Sequence, residues 1–181
     1  MDGRAPYVLQ TMKTPDLDDP FYASNRHGAA LDRTKGPLLL RTGWYDRSTA
    51  QTLAAYARVR DHGIKVYLTV GSWTHTEACG MDQMSEVYDF LDEFVAGAKE
   101  SSDRLPVRVF ATGVDEWRSL PSWPPAATQN RVFYLHGDNK TLDAEAPGAD
   151  SPSTRFVYDP YKPTPTMGGP LLTRGLELER R

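Results

Sequence analysis

A single cysteine, Cys79, stands in 181 residues. It excludes an internal disulfide and any zinc site built mainly from thiolates. A basic surplus is missing too: 21 lysines and arginines face 24 aspartates and glutamates, for a net charge of −3. Nucleic-acid binders need a cationic surface, so no nucleic-acid partner is expected. No apolar run approaches the roughly 20 residues of a membrane-crossing helix, so no membrane partner is expected either. The opening Met1-Asp2-Gly3-Arg4 lacks the charged-then-apolar order of a secretory signal, which points to the cytoplasm. What remains, with 39% apolar and 25% charged residues, is a globular chain on the polar side. Fourteen glycines and fourteen prolines imply many turns.

Residues 1–36 read as an irregular lead-in, because Pro6, Pro15, Pro20, Gly28 and Gly36 interrupt every periodic pattern. The pattern sharpens at Pro37. Leu38-Leu39-Leu40 is a short apolar run of the kind buried on both faces of a sheet, and Gly43 ends it. Ser48-Thr49-Ala50-Gln51 has the form of a capping box, so a helix should start at Ser48. Leu53, Tyr56, Ala57 and Arg60 give it a core face, and Gly63 a stop. Ile64–Val70 reads as a second strand, closed by Gly71. Strand, helix and strand make a βαβ unit. A second helix should bury Met81, Met84, Tyr88, Leu91 and Val95, widened by Val87, Phe90 and Phe94. Asp82, Glu86, Asp89, Asp92 and Glu93 would form its solvated side. Val107–Phe110 is a third strand, so 37–112 looks like the end of a doubly wound α/β sheet. Beyond Gly113 the character changes. Pro121, Pro124 and Pro125 break the chain, and short β pieces at Arg131–Leu135 and Arg155–Tyr158 read as opening strands of an all-β unit.

Chemistry enters through two loops. Parallel strands joined right-handedly through a helix place their carboxyl ends on one sheet edge, where open α/β sheets bind ligands. Asp46 lies three residues past Gly43, and His75 four past Gly71. A carboxylate and an imidazole on neighbouring loops of that edge are the last two members of a Ser-Asp-His triad, in α/β-hydrolase order. His75 would move the proton of a serine hydroxyl, and Asp46 would hold its ring. The same spacing also suits a turn-capping Asp46 and an ordinary loop histidine. The nucleophile is the difficulty. It needs a strained elbow with small neighbours, usually Gly-x-Ser-x-Gly, and no serine here has such flanks. Ser72 precedes Trp73, Ser48 reads as a helix cap, and Ser102, Ser119, Ser122 and Ser153 lie in polar or proline-rich stretches. Only Ser24 precedes Asp46 upstream of the cap.

Several segments together resemble one family. They are Asp19-Pro20-Phe21-Tyr22, Gly43-Trp44-Tyr45-Asp46, Gly71-Ser72-Trp73-Thr74-His75, Phe90-Leu91-Asp92 through Gly97, and Val107–Gly113. Glu116-Trp117-Arg118, Trp123-Pro124, Tyr158-Asp159-Pro160, Pro163, Pro165 and Gly168-Gly169 continue the series. In order and spacing the chain is similar to CocE/NonD-type serine hydrolases, relatives of cocaine esterases and X-Pro dipeptidyl peptidases. The resemblance implies an α/β fold: a partial α/β-hydrolase sheet of βαβ units, then the first strands of a β jelly roll. It implies 1–36 as lead-in, 37–120 as the last part of the hydrolase domain and 121–181 as an incomplete jelly roll. It assigns Asp46 and His75 as triad acid and base, with the serine elbow, oxyanion segment and cap outside the chain. Two departures stand out. Ser48 occupies a place where the family commonly has an aromatic, which puts its acyl-pocket wall in doubt. Ser72 replaces a proline before Trp73.

The expected function is acyl transfer to a serine, cleaving small esters, amides or peptides. The alternative is a non-catalytic remnant that keeps the fold as a binding surface. No metal or cofactor is expected. An upstream hydrolase segment or a second copy of the chain is the candidate protein partner. Trp44, Tyr45 and Trp73 could wall a substrate pocket or belong to the core. Trp117 and Trp123 read as structural, and Arg118 as bracing a domain joint through a carboxylate. Cys79 could pair with His75 as a nucleophile, or join Asp46 and His75 around a metal, but both readings are weaker than the matched motifs. Asn139-Lys140-Thr141 is a glycosylation sequon without a secretion signal to give it meaning.

Overall fold

The structure, a computed structural model, describes residues 6–80, 84–98, 103–137, 140–164 and 169–170. Met1–Arg4, Met81, Asp82, Ser102, Asn139, Pro165 and Gly168, named above, lie outside them. The protein is of the α/β class, with a parallel sheet and further antiparallel strands. Strands β1 (Leu38–Gly43), β2 (Val66–Gly71) and β3 (Val107–Ala111) run parallel, and β4 (Glu116–Leu120) returns antiparallel beside β3. Registers pair Leu38 with Val66 and Gly43 with Gly71 across β1 and β2, then Val70 with Val109 across β2 and β3. The ends of β1 and β2 are therefore level, and their loops share one edge.

Helix α3 (Thr49–Asp61) crosses one sheet face. Its Tyr56 and Val59 pack with Leu68, Val70, Val107 and Val109 in one core, flanked by Leu38, Leu40, Leu53 and Ile64. Each such side chain contributes about 1.5–3 kcal/mol by leaving water. Every residue of β2 is buried, as befits a strand covered on both faces. Gly63, at φ +73°, takes the left-handed turn that ends the helix.

The other face differs from the expectation. Register puts Arg41, Thr69 and Arg108 side by side on it, with Tyr67 below. Helix α5 (Ser85–Leu91) lies over this row and continues as a π turn, Asp92–Ala96, ended by Gly97 at φ +63°. It does not bury the predicted stripe, since Tyr88, Leu91 and Val95 are exposed. Phe90 and Phe94 pack on Tyr67 instead, at ring separations of 6.1 and 5.7 Å. Glu86, expected in solvent, accepts from the Thr69 hydroxyl at 2.5 Å and lies 3.4 Å from Arg41 Nε. Glu93, also expected in solvent, is buried against Arg104 at 3.5 Å. The cause is the partner: a sheet face carrying a row of cations selects carboxylates and aromatic faces above it. Lys65 and Arg104 complete this layer, over Phe94 and Tyr67 respectively.

Glu86→Gln would leave the Arg41 guanidinium buried without its counter-charge. Its Nε and Nη2 already lack hydrogen-bond acceptors. We expect a loss of about 3 kcal/mol in urea unfolding, largely recovered when Arg41→Met is added. An unchanged midpoint in the single variant would contradict this reading of the face.

The lead-in is not irregular. Helix α1 (Pro6–Lys13), a 3₁₀ turn (Pro20–Asn25) and the short helix α2 (Gly28–Leu31) occupy it. Pro6 and Pro20 start these elements rather than interrupt them, because a first-turn proline forfeits no helical hydrogen bond. Leu31 packs against the core, and Arg58 holds Asp32 bidentately at 2.5 and 2.6 Å. That guanidinium keeps the Asp32 carboxyl below its ordinary value. Strand β4 was not expected either. The turn at 112–115, with Gly113 and Asp115 at positive φ, folds the chain straight back onto β3. Farther on, β5 (Tyr134–His136) pairs antiparallel with β6 (Thr141–Asp143), the latter unforeseen. The expected strand at Arg155–Tyr158 is absent, and Phe156, Val157 and Tyr158 are exposed there. Among the described residues no helix is long and apolar enough to cross a membrane.

Candidate active site

Two glycines at the level strand ends build the site. The chain after β1 turns at Gly43-Trp44-Tyr45-Asp46, and the Asp46 N–H donates to the Gly43 carbonyl at 2.9 Å. Two further bonds stitch this turn to the segment after β2. Trp44 N–H donates to Gly71 O at 2.8 Å, and Tyr45 N–H to Trp73 O at 3.1 Å. No side chain fits between these segments. A Cβ on Gly43 would stand 2.0 Å from Trp73 O, and one on Gly71 2.2 Å from the Trp73 indole. The Thr49 hydroxyl closes the turn from within, its single proton shared between the carbonyl oxygens of Gly43 and Asp46 at 2.5 and 2.6 Å.

His75 opens a short helix, α4 (His75–Ala78). The Thr74 N–H and hydroxyl both donate to Glu77 Oε2, at 2.8 and 2.9 Å, which fixes where that helix begins. The His75 ring thereby reaches back to the first loop, and its Nδ1 lies 2.9 Å from Asp46 Oδ1. A carboxylate only accepts, so Nδ1 carries the proton, and in the neutral ring the lone pair is on Nε2. Among the described residues Nε2 has no hydrogen-bond partner. The Asp46 side chain is 4% exposed and that of His75 32%, so the acid is enclosed and the ring reaches solvent.

Asp46 is held from several sides. Ser48 donates twice to Oδ1, through its N–H and its hydroxyl, each at 2.8 Å. The buried Thr42 hydroxyl donates to Oδ2 at 3.2 Å. Ser48 stands at the helix N-cap position, yet its hydroxyl makes no capping bond, which corrects the capping box expected from Ser48 and Gln51. The hydroxyl turns to donate to the carboxylate, and its oxygen accepts from no N–H at the helix start. Burial raises the Asp46 carboxyl, but the two Ser48 donors and the His75 ring outweigh it, and the carboxyl sits below its ordinary value of 3.8.

The sign of the resulting pH dependence follows. A depressed folded-state value stabilises the fold above 3.8, and that stabilisation fades as the pH falls through the folded value. The stability gap between the native chain and Asp46→Asn should therefore narrow below about pH 4. Urea unfolding at several pH values reads it. A gap that widens on acidification would refute the assignment.

The aromatic candidates lie in the same two segments, and the rings of Trp44 and Trp73 pack on other partners. Trp44 donates its indole N–H to Phe110 O at 2.6 Å and packs on Trp123, with ring centroids 5.7 Å apart. It also lines a cleft of about 330 Å³ with Val109, Phe110, Arg118, Leu120 and Trp123. Trp73 lies between the Arg41 guanidinium, at 5.4 Å, and the Trp117 ring, at 5.6 Å. Tyr45 is half-buried. Among the described residues Arg118 has no carboxylate partner, so the expected brace is not seen there. Cys79 is exposed and caps α4, and no group of three potential metal ligands gathers among the described residues.

A parallel sheet with one face under a crossover helix, and an aspartate hydrogen-bonded to a histidine across its carboxyl edge, define a portion of an α/β hydrolase. The sequence profile of the X-Pro dipeptidyl-peptidase (S15) family matches residues 2–77, a stretch that takes in both Asp46 and His75. The cocaine esterase of Rhodococcus sp. (strain MB1 Bresler) is 29% identical over 195 residues, covering 92% of this chain and 33% of the esterase. An α-amino acid ester hydrolase superposes with a TM-score of 0.68 at 21% identity, over 88% of this chain and 30% of that one. A CocE/NonD family hydrolase from Staphylococcus aureus superposes at 0.62 with 18% identity, over 77% and 26%. In sequence the chain is similar to an X-Pro dipeptidyl-peptidase family model and to a cocaine esterase, and in fold to a CocE/NonD family hydrolase. It spans about a third of the length of the cocaine esterase.

Proposed function

We propose that this segment carries the acid and base of a serine acyl-transfer site that cleaves esters or amides. The observation that carries the reading is the 2.9 Å bond from His75 Nδ1–H to Asp46 Oδ1, with Nε2 left unpaired among the described residues at the ligand-binding edge of the sheet. In the first step His75 Nε2 takes the proton of a serine hydroxyl as its oxygen attacks the carbonyl carbon. The imidazolium then protonates the leaving alcohol or amine, and the acyl group stays on the serine. Water repeats the sequence and frees the acid. Asp46 fixes the Nδ1–H tautomer throughout and stabilises the imidazolium. The serine comes from a polypeptide segment other than these loops, since no serine here lies in a Gly-x-Ser-x-Gly elbow. Small esters or peptides are the substrate class. The family profile and the esterase relative support both bond types. Tyr45 and Trp73 would flank the reacting acyl group, and the cleft beside Trp44 would take its apolar end.

The test uses a fluorophosphonate probe and a nitrophenyl ester. The 181-residue chain alone should neither label nor turn over. The same chain fused behind the elbow-bearing part of the Rhodococcus cocaine esterase should do both. Labelling of the unfused chain that vanishes in His75→Ala would overturn the divided site. A folded fusion that stays unlabelled would overturn the acid–base assignment.

A further inference from the structure

We propose that Ser48 is a positioning residue, which clamps the Asp46 carboxylate so that Oδ1 faces His75. This rests on the acid–base reading above, but its geometry stands independently. Oδ1 accepts three donors, the Ser48 N–H and hydroxyl at 2.8 Å each and His75 Nδ1 at 2.9 Å. A carboxylate has two directions for lone-pair acceptance on each oxygen, so three donors crowd the one nearest the base. Among the described residues Oδ2 by contrast holds a single, longer contact, from Thr42 at 3.2 Å. Rotating the carboxylate plane about Cβ–Cγ would carry the accepting oxygen away from both the Ser48 donors and His75. The backbone N–H of Ser48 cannot follow such a rotation, because the turn is stitched at Gly43, Tyr45 and Thr49. The hydroxyl adds a second tie to the same oxygen from the same residue. Serine is the suitable type here: its Oγ reaches the carboxylate two residues back without filling the loop.

A helix cap would be the ordinary use of a serine at this position, and the two roles separate by experiment. As a cap, Ser48 would leave the Asp46 carboxyl untouched on mutation. As a clamp, its loss changes the acid directly.

Carboxyl ¹³C NMR of the 181-residue chain reads the first arm. Ser48→Ala should move the Asp46 midpoint up, and Ser48→Thr should restore it. The His75 Nδ1–H resonance should broaden in the alanine variant and sharpen again with threonine. The second arm is kinetic, in the elbow-bearing fusion. Ser48→Ala should lower kcat on the order of ten- to a hundredfold, the cost of a slightly misplaced catalytic group, with KM nearly unchanged. An Asp46 midpoint and a His75 resonance that ignore Ser48→Ala would overturn the clamp. So would a native kcat in that variant of an active fusion. A fusion without any turnover, with the NMR effects intact, would instead sink the catalytic reading and leave the clamp standing.

Discussion

Asp46→Asn in the elbow-bearing fusion should lower kcat by about four orders of magnitude, or some 5.5 kcal/mol of transition-state stabilisation. The reason is the tautomer. Asparagine removes the charge that stabilises the imidazolium, and wherever its amide nitrogen faces Nδ1 it donates, so that the ring must carry its proton on Nε2. That nitrogen can then no longer accept from serine. The enclosure of Asp46, at 4% exposure, leaves no water to restore the correct tautomer. His75→Ala should cost as much, by removing the base itself. The two together should cost little more than His75→Ala alone, since Asp46 acts only through His75. Steady-state hydrolysis of a nitrophenyl ester measures all three. A loss below tenfold in either single variant would refute the roles assigned here. Multiplying losses in the double variant would show two independent contributions instead of one unit.

Gly43→Ala should be the most damaging methyl that can be added to this chain. Its Cβ would meet a backbone carbonyl, Trp73 O, at 2.0 Å, and that carbonyl already accepts the Tyr45 N–H. A backbone atom cannot rotate away. The loops must part by roughly 1.4 Å or more to reach ordinary contact, and His75 lies only two residues beyond Trp73. We expect a stability loss above about 3 kcal/mol, together with loss of the His75–Asp46 bond. Gly71→Ala is different in kind, because its nearest obstacles are ring atoms of Trp73, from 2.2 Å. Removing that ring should relieve it. In thermal unfolding, Gly71→Ala and Trp73→Ala should couple favourably by about 1–3 kcal/mol, whereas Gly43→Ala and Trp73→Ala should not. A mild Gly43→Ala, or equal coupling in both pairs, would contradict the stitched-loop geometry.

The parts legible in the sequence were those whose cause is local. Leu38–Leu40 and Ile64–Val70, each ended by glycine, announced two parallel strands, of which the second is fully buried and the first only partly so at its leucines, and a helix between them had to connect them right-handedly. That topology alone brought Asp46 and His75 to one edge. The parts that were not legible had causes elsewhere in space. Periodicity ranked Tyr88, Leu91 and Val95 as the inward stripe of α5, but the face it meets carries Arg41 and Thr69, so Glu86 turned inward. The Glu116–Leu120 strand lacked a core-like pattern because it lies at the sheet edge with its residues mostly exposed. The pattern Ser48…Gln51 satisfied a capping rule, but the Ser48 hydroxyl donates to Asp46 and accepts from no N–H at the helix start.

The amino-acid order by itself determined the strand–helix–strand path, its glycine stops and the edge where an acid and a base would emerge. Those follow from backbone sterics and hydrophobic spacing within a few turns of chain. Only the tertiary structure decided the 2.9 Å meeting of imidazole and carboxylate, the double tie from Ser48, and the charged underside beneath α5. Hydrogen bonds and ion pairs act over a few ångströms, and which groups come that close is set by packing between distant segments.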